Sequence, residues 1–422
     1  METEAIPFAR PSIGKEEEEA VLRVLRSGWL TTGAEALAFE EEFAAFLEGP
    51  PLPSPAPGKP PLPPLRALAV NSATSGLHLA LEALGVGPGD LVLVPSYTFT
   101  STAEVARYLG AEAVFVDLRP GTFHLDPGAL ERILARLSKG LPPYPQRGGC
   151  GPRGRPRALI PVHYGGLPCD MGALRDICRR YDLGIVEDAA HSFPSLIPGA
   201  DLGDAAGPAA YAGTLGDAGV FSFYATKPIA TGEGGMVVTR NQALADRIAV
   251  MRSHGIDRTV WNRYTDRGAS WYYEVIEAGF KDNFPDLLAA LGRVQLKRAP
   301  VLLERRCAIA RRYDEAFGEE RRFLIPPTGG GDARHLYPLR LREGGLKRDE
   351  FIRELQKRGI GVSVHFIPLH LMPYYKKRYA LEPEDLPESL RAFEQVISLP
   401  IWPDMGEDRV ERVIQAVKAI AG

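Results

Sequence analysis

The sequence predicts an α/β protein: a large domain built on a mostly parallel sheet, joined to a smaller α+β domain at its C-terminal end. Three observations carry that expectation. From residue 67 to 238, short apolar strand-like runs alternate with helical patterns, the order that places helices on both faces of a parallel sheet. Beyond 238 the alternation gives way to one long helical stretch and then to scattered strands and helices. The chain has 422 residues, 45% apolar and 24% charged, an ordinary soluble composition with length enough for two domains over a large core.

Composition also excludes. A net charge of -3 gives no reason to expect nucleic acid or a membrane surface as the partner. No apolar run approaches the ~20 residues that cross a bilayer. The N-terminal stretch carries acids where a signal peptide would carry basic and apolar regions. Cys150, Cys169, Cys178 and Cys307 show no paired metal-ligand spacing, and a chain of this size does not need disulfides. A reducing, cytoplasmic setting with no metal site is expected.

In chain order, the first helix is predicted at 14–27, a glutamate run followed by Val21, Leu22, Val24 and Leu25. Gly28-Trp29-Leu30-Thr31-Thr32-Gly33 breaks it with a turn. A second helix at 34–47 sets Phe39, Phe43 and Phe46 at helical spacing. In 50–64, nine of fifteen residues are proline, which excludes core helix or central strand and predicts an extended surface insertion. Strands are expected at 67–70, 91–94, 113–116, 158–161, 185–186, 218–223 and 236–238. Helices are expected at 75–84, 101–109, 127–137 and 171–181. The irregular stretches 140–157 and 197–211 read as two more surface excursions. Then follow a helix at 241–251 and an irregular segment at 258–282 with Trp261, Trp271, Tyr272 and Tyr273. A helical stretch at 285–317 is expected to break near Pro300. A strand at 334–341, a helix at 347–358, a strand at 361–366 and a helix at 408–420 complete the chain. The large domain is placed at 1–285 and the small one at 286–422.

Ligands of an open parallel sheet bind beyond the carboxyl ends of its strands, so the residues following each strand are the candidates. After the first come Asn71-Ser72-Ala73-Thr74-Ser75-Gly76-Leu77, small and hydroxylated residues leading into a helix. Their N–H groups and the Thr74 and Ser75 hydroxyls can hold a phosphate or simply cap the helix; the lysine of a P-loop is missing. After the second come Pro95-Ser96-Tyr97-Thr98-Phe99-Thr100, with an aromatic that can stack on a flat ring or pack in the core. After the strand at 185 come Glu187-Asp188-Ala189-Ala190-His191. Adjacent acids at a strand end face opposite ways, so one can partner a pyridine nitrogen with His191 near a ring substituent, or both can be cap and surface residues.

The stretch 221–235 runs from a strand into Lys227, which Pro228 biases towards extended backbone, and on to a turn with Gly232, Gly234 and Gly235. A lysine there is either a solvated surface residue or an amine of depressed pKa, nucleophilic towards carbonyls. Phosphate grip, ring grip, ring-nitrogen partner and Schiff-base amine, in this order, are what pyridoxal 5'-phosphate (PLP) requires.

The chain also resembles the DegT-type nucleotide-sugar aminotransferases, which belong to the aspartate-aminotransferase-like (fold type I) PLP enzymes. The resemblance runs from Ile6-Pro7-Phe8 to Leu399-Pro400. It includes Ser27 to Gly33, Ser72 to Leu77, Pro95 to Phe99, Pro161-Val162-His163-Tyr164-Gly165-Gly166, Glu187 to His191, and Phe221-Ser222-Phe223 with Lys227 and Gly232-Glu233-Gly234-Gly235. Farther on come Gly279-Phe280-Lys281-Asp282-Asn283, His335-Leu336-Tyr337, and His365-Phe366-Ile367-Pro368-Leu369-His370. The loops at 50–64, 140–157 and 197–211 look like insertions relative to the family pattern.

The resemblance implies that fold and a catalytic trio of Lys227, Asp188 and His191. Lys227 would hold the cofactor covalently, Asp188 would pair with the pyridinium nitrogen, and His191 would lie near the ring hydroxyl. Phe99 would stack on the ring, and Ala73 and Thr74 with Ser222 would bind the phosphate. Lys281 or Asn283 would reach the phosphate of the neighbouring subunit, because the family builds its sites at a homodimer interface; the family often has Asn-Tyr-Arg where this chain has Lys281-Asp282-Asn283. Trp29, Thr31, Tyr337, His365 and His370 would line the sugar-nucleotide side.

The implied reaction is a ping-pong transamination from glutamate to a keto sugar carried on a nucleoside diphosphate, giving an amino sugar for surface polysaccharide or glycan. The stretches His254-Gly255-Ile256 and Gly279-Phe280-Lys281 look closer to the 4-keto-6-deoxyhexose group than to the 3-keto group. Competing readings remain. Relatives that remove a sugar hydroxyl carry histidine where this chain has Lys227. A non-catalytic regulator that binds PLP or sugar nucleotide is opposed by the joint presence of Lys227, Asp188, His191 and Ser222. A nicotinamide enzyme is opposed by the lack of Gly-x-Gly-x-x-Gly after the first strand.

Overall fold

The computed structural model describes residues 4–49, 62–144, 151–199, 209–257, 272–327, 331–342, 344–345 and 347–421. Most of the proline-rich stretch, the middle of the other two insertion loops, Cys150, Trp261 and Trp271 lie outside the described residues.

The main sheet has seven strands in the order β1-β9-β8-β5-β4-β2-β3: β1 Arg66–Val70, β2 Asp90–Pro95, β3 Glu112–Val116, β4 Arg155–Leu159, β5 Gly184–Asp188, β8 Ala218–Ser222 and β9 Gly235–Thr239. All run in one direction except β9, which is antiparallel to both β1 and β8. The two-residue strands β6 (Leu196–Ile197) and β7 (Ala210–Tyr211) pair beside it. The fold class expected from the sequence is therefore found.

The helices of this half are α1 Lys15–Ser27, α2 Ala34–Glu48, α3 Ala73–Ala83, α4 Ser101–Tyr108, α5 Pro127–Leu137, α6 Met171–Tyr181 and α7 Gln242–Met251. Their starts follow local chemistry. Ser72 Oγ accepts the Ser75 N–H at 3.1 Å, Asp126 accepts from Gly128 and Ala129 ahead of Pro127, and Asn241 accepts from Ala243 and Leu244, each satisfying N–H groups that a helix start leaves open. Apolar residues of α3–α7 and the sheet form one cluster. Phe39 and Phe43 of α2 pack with Phe221, Phe223 and Phe284 in another.

The C-terminal half holds α8 Asp286–Phe317, β10 Phe323–Leu324, β11 Tyr337–Leu341, α9 Arg348–Lys357, α10 Pro373–Tyr379, α11 Pro387–Gln395, β12 Val396–Leu399 and α12 Glu407–Ala421. Its sheet runs β10-β11-β12, antiparallel throughout. Helix α8 is shared: Ala289, Leu296, Ala299 and Leu302 pack on the large-sheet side, and Ile309, Ala310, Tyr313 and Phe317 on the small sheet. Ile6 of the N-terminal arm also joins the second cluster and bridges to Ile360.

Several expectations need correction. Helix α8 continues through Pro300: the missing N–H there costs one backbone bond, and burial of the neighbouring Leu296, Ala299 and Leu302 outweighs it. Residues 361–366 form no strand; they meet the small sheet through the backbone bridge Ser363–Ser398, the 2.9 Å contact of His365 Nδ1 with Ser398 Oγ, and the packing of Val362. Strand β4 begins at Arg155, inside a stretch read as loop. From that same stretch Tyr144 is buried, its hydroxyl bonded to both the N–H and the carbonyl of Phe115. The strand ending in Ser222 stops short of Phe223.

Candidate active site

Parallel strands β1, β2, β4, β5 and β8 release their following residues at one edge of the sheet, and the functional candidates gather there. Ala73 and Thr74 open α3 directly after β1 and are half-buried. Gly235 starts β9 against that turn. A Cβ on it would stand 2.7 Å from Ala73 N and from the Ser72 carbonyl carbon, so only glycine lets the strand and the helix start approach this closely. Ser222, the last residue of β8, pairs with Gly235 and so stands beside the same turn. Helix N–H groups and a hydroxyl converging at one helix start suit a phosphate.

Lys227 does not sit at a strand end. It lies in the connection between β8 and β9, which is closed by backbone bonds from Phe223 to Gly234 O (2.9 Å), Thr231 to Phe223 O (2.8 Å) and Lys227 to Tyr224 O (2.9 Å). Gly234 takes a φ of 151° there, a backbone that side chains rarely adopt. Lys227 is half-buried by surface. Burial nevertheless pushes its pKa down to about 8, with the Asp188 carboxylate pulling the other way.

The two adjacent acids divide as their alternation requires. Glu187 is fully buried on the far side, where it accepts from His163 Nε2 at 2.8 Å and from the N–H groups of Gly213, Leu215 and Gly216. Its work is to hold the turn before β8. Asp188, the last residue of β5, accepts from Thr102 Oγ1 at 2.8 Å and from the Ala190 N–H at 3.2 Å. Burial raises its pKa, and these two bonds with the Lys227 and His163 charges oppose that rise.

His191 lies between Phe366, with ring centroids 5.7 Å apart and planes at 29°, and His335 at 4.5 Å. Its Nδ1 accepts the Gly165 N–H at 3.2 Å, which places the proton of the neutral ring on Nε2. Burial, then the Lys227 and His365 charges, hold its pKa well below the ordinary value. Phe99 follows β2 with 56% of its surface exposed and meets Phe366 at a tilt of 55°, centroids 5.9 Å apart. A flat ring laid beside it would cover what the fold leaves open.

The remaining candidates are placed as follows. Lys281 and Asn283 bond to each other and flank Asp282, whose carbonyl accepts the Asn71 N–H and whose carboxylate accepts from Ser75 Oγ. They therefore stand beside this chain's own α3 start. Trp29 and Thr31 lie on the turn between α1 and α2, which meets that region through Thr32, the acceptor of Asn283 Nδ2 at 2.7 Å. His365 faces the Lys227 charge, and burial pushes its pKa down to about 4.

Two candidates are structural. Tyr337 is fully buried in the small-sheet core, with its hydroxyl on Asp314 Oδ1 at 2.8 Å. His370 is also buried and spends Nδ1 on Ser96 Oγ and Nε2 on Pro383 O. Neither side chain is open to a sugar nucleotide. Of the motif His335-Leu336-Tyr337, the residue brought to the site is His335, because the Leu336 N–H docks on Gly165 O at 3.0 Å. The structure also brings Thr102, Tyr164 and Phe366 to the site. Tyr164 and Phe366 stand in stretches that carry the family resemblance, whereas nothing local marks Thr102, which reaches the site through tertiary packing.

Known proteins resemble this chain over nearly its whole length. The model of the DegT/DnrJ/EryC1/StrS aminotransferase family matches residues 11–418. The spore coat polysaccharide biosynthesis protein SpsC of Bacillus subtilis is 40% identical over 420 residues, covering 98% of this chain and 97% of that protein. Among solved structures, the putative sugar aminotransferase Spr1654 of Streptococcus pneumoniae in its PMP form superposes with a TM-score of 0.82 at 29% identity, with 99% of each chain covered. DesV of S. venezuelae, in complex with a ketimine intermediate, gives 0.79 at 31% identity, again with 99% of each chain covered. The neighbours are fold type I sugar aminotransferases seen in PLP and PMP forms, and the residues gathered here fit that cofactor at its phosphate, ring face, ring nitrogen and amine. The chain belongs to the DegT/DnrJ/EryC1/StrS aminotransferase family and is a PLP-dependent sugar aminotransferase.

Proposed function

We propose that the protein transfers the amino group of glutamate to a nucleotide-linked keto-deoxysugar of the 4-keto-6-deoxyhexose type, supplying an amino sugar for surface polysaccharide or glycan. The observation that carries this is the convergence of Lys227, its pKa brought down to about 8, with the buried Asp188 on one sheet edge beside an open helix start. The polysaccharide role is supported by the likeness to SpsC.

When bound, PLP supplies a ring that spreads the charge left at the donor's Cα. The chain's residues do the rest. Lys227 would hold the cofactor through its amine and, once freed, would serve as the base that takes the proton from the donor's Cα. Asp188 keeps a proton on the ring nitrogen. His191, proton on Nε2, donates to the ring hydroxyl. Ala73, Thr74 and Ser222 hold the phosphate, and Phe99 covers the ring face. On the substrate side, Trp29, Thr31 and His365 remain assigned to the sugar nucleotide.

The working form is a cytoplasmic homodimer, with Lys281 or Asn283 of one subunit completing the phosphate site of the other. Exposed Phe99, Tyr224, Val275, Ile276 and Ile367 supply apolar surface of the kind an interface covers. The test is optical. The visible band of the PLP-loaded protein should vanish on adding glutamate and return on adding a 4-keto-6-deoxyhexose nucleotide. A band indifferent to every amino donor would support a binding protein instead, and return with a 3-keto sugar nucleotide alone would move the acceptor to that group.

A further inference from the structure

Two buried threonines stand behind Asp188 and have no role so far. Thr98 and Thr102 are both enclosed, so each hydroxyl must find its partner within the protein. Thr102 Oγ1 donates to Asp188 Oδ2 at 2.8 Å. With its one proton so used, Thr102 is the acceptor in its 2.8 Å contact with Thr98 Oγ1. The chain of bonds runs from Thr98 to Thr102 to the carboxylate, each polarising the next.

Thr102 occupies the first turn of α4, where threonine commonly bonds to backbone of its own helix. Here it reaches across to the end of β5. The same turn carries Phe99, whose carbonyl accepts the Thr102 N–H at 3.3 Å. One short segment, 98–102, therefore sets both the exposed aromatic and the buried acid. It is anchored on its outer side as well, since Tyr97 Oη donates to His365 O at 2.6 Å and the Leu369 N–H donates to Ser96 O at 2.8 Å.

We propose that Thr102, braced by Thr98, is a positioning residue for Asp188, fixing its carboxylate against the cofactor's ring nitrogen while the same turn presents Phe99 to the ring face. This rests on the reading of Asp188 as the ring-nitrogen partner. The charged groups around Asp188 are Lys227 from the β8–β9 connection and His163 after β4. Both favour its ionised form against the effect of burial, and Glu187 points to the other side of the strand. The Thr102 bond adds to the two cations. Without it Asp188 would bind a proton more tightly and draw it from the ring nitrogen. A less electron-poor ring then leaves the Lys227 nitrogen more basic.

The test is the pH titration of the visible band in PLP-loaded protein, without substrate. Thr102→Val keeps the shape and removes the hydroxyl. Its midpoint should move up by about one pH unit, the order of one hydrogen bond to a charged group. Its kcat should fall about tenfold with little change in KM for glutamate, a loss in the chemical step and not in binding. Thr102→Ser should restore both, and Thr98→Val should shift the midpoint the same way by less. A Thr102→Val protein that titrates like wild type overturns the proposal, even if its turnover falls, because that pattern marks a merely structural role. Wild-type protein that develops no visible band with PLP is a separate outcome, and it overturns the functional reading along with this one.

Discussion

At the scale of single residues, burial moves the ionisation of Lys227, Asp188, His191 and His365 away from their ordinary values. Burial leaves Lys227 with a pKa of about 8 against the ordinary 10.5. Only the neutral amine attacks a carbonyl, so the rate at which cofactor-free protein takes up PLP should rise with pH to a plateau, with a midpoint near 8. A midpoint at the ordinary lysine value would place Lys227 in open water. The linkage has a definite sign. Between about 8 and 10.5 the unfolded chain binds more protons at this lysine than the folded one, so the cofactor-free protein should gain stability as pH rises through that window. Replacing Asp188 by Ala should slow transamination by on the order of a thousandfold or more, which steady-state kinetics would show. Asp188 and the phosphate turn were legible because each sits where its strand sets it down, and Lys227 because Pro228 and the glycines of 232–235 mark the connection that carries it. Thr102 was not, because a threonine in a helix's first turn looks the same whether it bonds to its own helix or to a strand eighty-odd residues away. The alternation rule separated Glu187 from Asp188 without saying which faced the site; that depended on where His163 and the N–H groups of 213–216 lie.

At the scale of elements, the site is built from close approaches between strand ends and loops. Gly235→Ala would push a methyl into the Ala73 N–H and Ser72 backbone at 2.7 Å, atoms that cannot swing aside. The variant should lose about 1–3 kcal/mol of stability and hold the phosphate more weakly, read as faster loss of PLP on dialysis. Glu187→Gln would leave His163 and three backbone N–H groups competing for one carbonyl oxygen. Since one partner of a buried charged network is removed, the expected cost is about 3–5 kcal/mol in denaturant unfolding, and an unchanged midpoint would mean water replaces the carboxylate. The regular elements of the main sheet were readable because buried parallel strands are short apolar runs bounded by turn residues. Helix α8 was misread at Pro300 because the local penalty is visible in sequence and the packing on both sides of it is not. In the stretch 361–366 the apolar spacing resembles a strand, but its residues pack in different directions: Phe366 beside His191 and His365, Val362 on the small-sheet core and Val364 beside the Tyr97–Tyr164 cluster.

At the scale of the whole molecule, two hydrophobic clusters share one long helix, and the segment from Gly331 to Leu336 crosses back to the large sheet. The Leu336 N–H on Gly165 O and the Ala333 N–H on Ser195 Oγ place His335 against His191, so the small sheet contributes to the site through its leading segment, and β12 adds the Ser398 hydroxyl that meets His365 Nδ1. This explains why Tyr337, the eye-catching residue of that motif, lies in the core. Sedimentation equilibrium should give a particle of about twice the 46.0 kDa chain mass (the proposed homodimer), and a monomer that still turns over would remove the need for Lys281 or Asn283 in trans.

Every other role at the site depends on Lys227 holding the cofactor. Borohydride reduction of the PLP-loaded protein, followed by proteolysis and mass spectrometry, tests it directly. The predicted result is a pyridoxyl label on the peptide bearing Lys227, absent after Lys227→Ala. A label on any other lysine, or its persistence in that variant, would mean that Lys227 does not carry the cofactor.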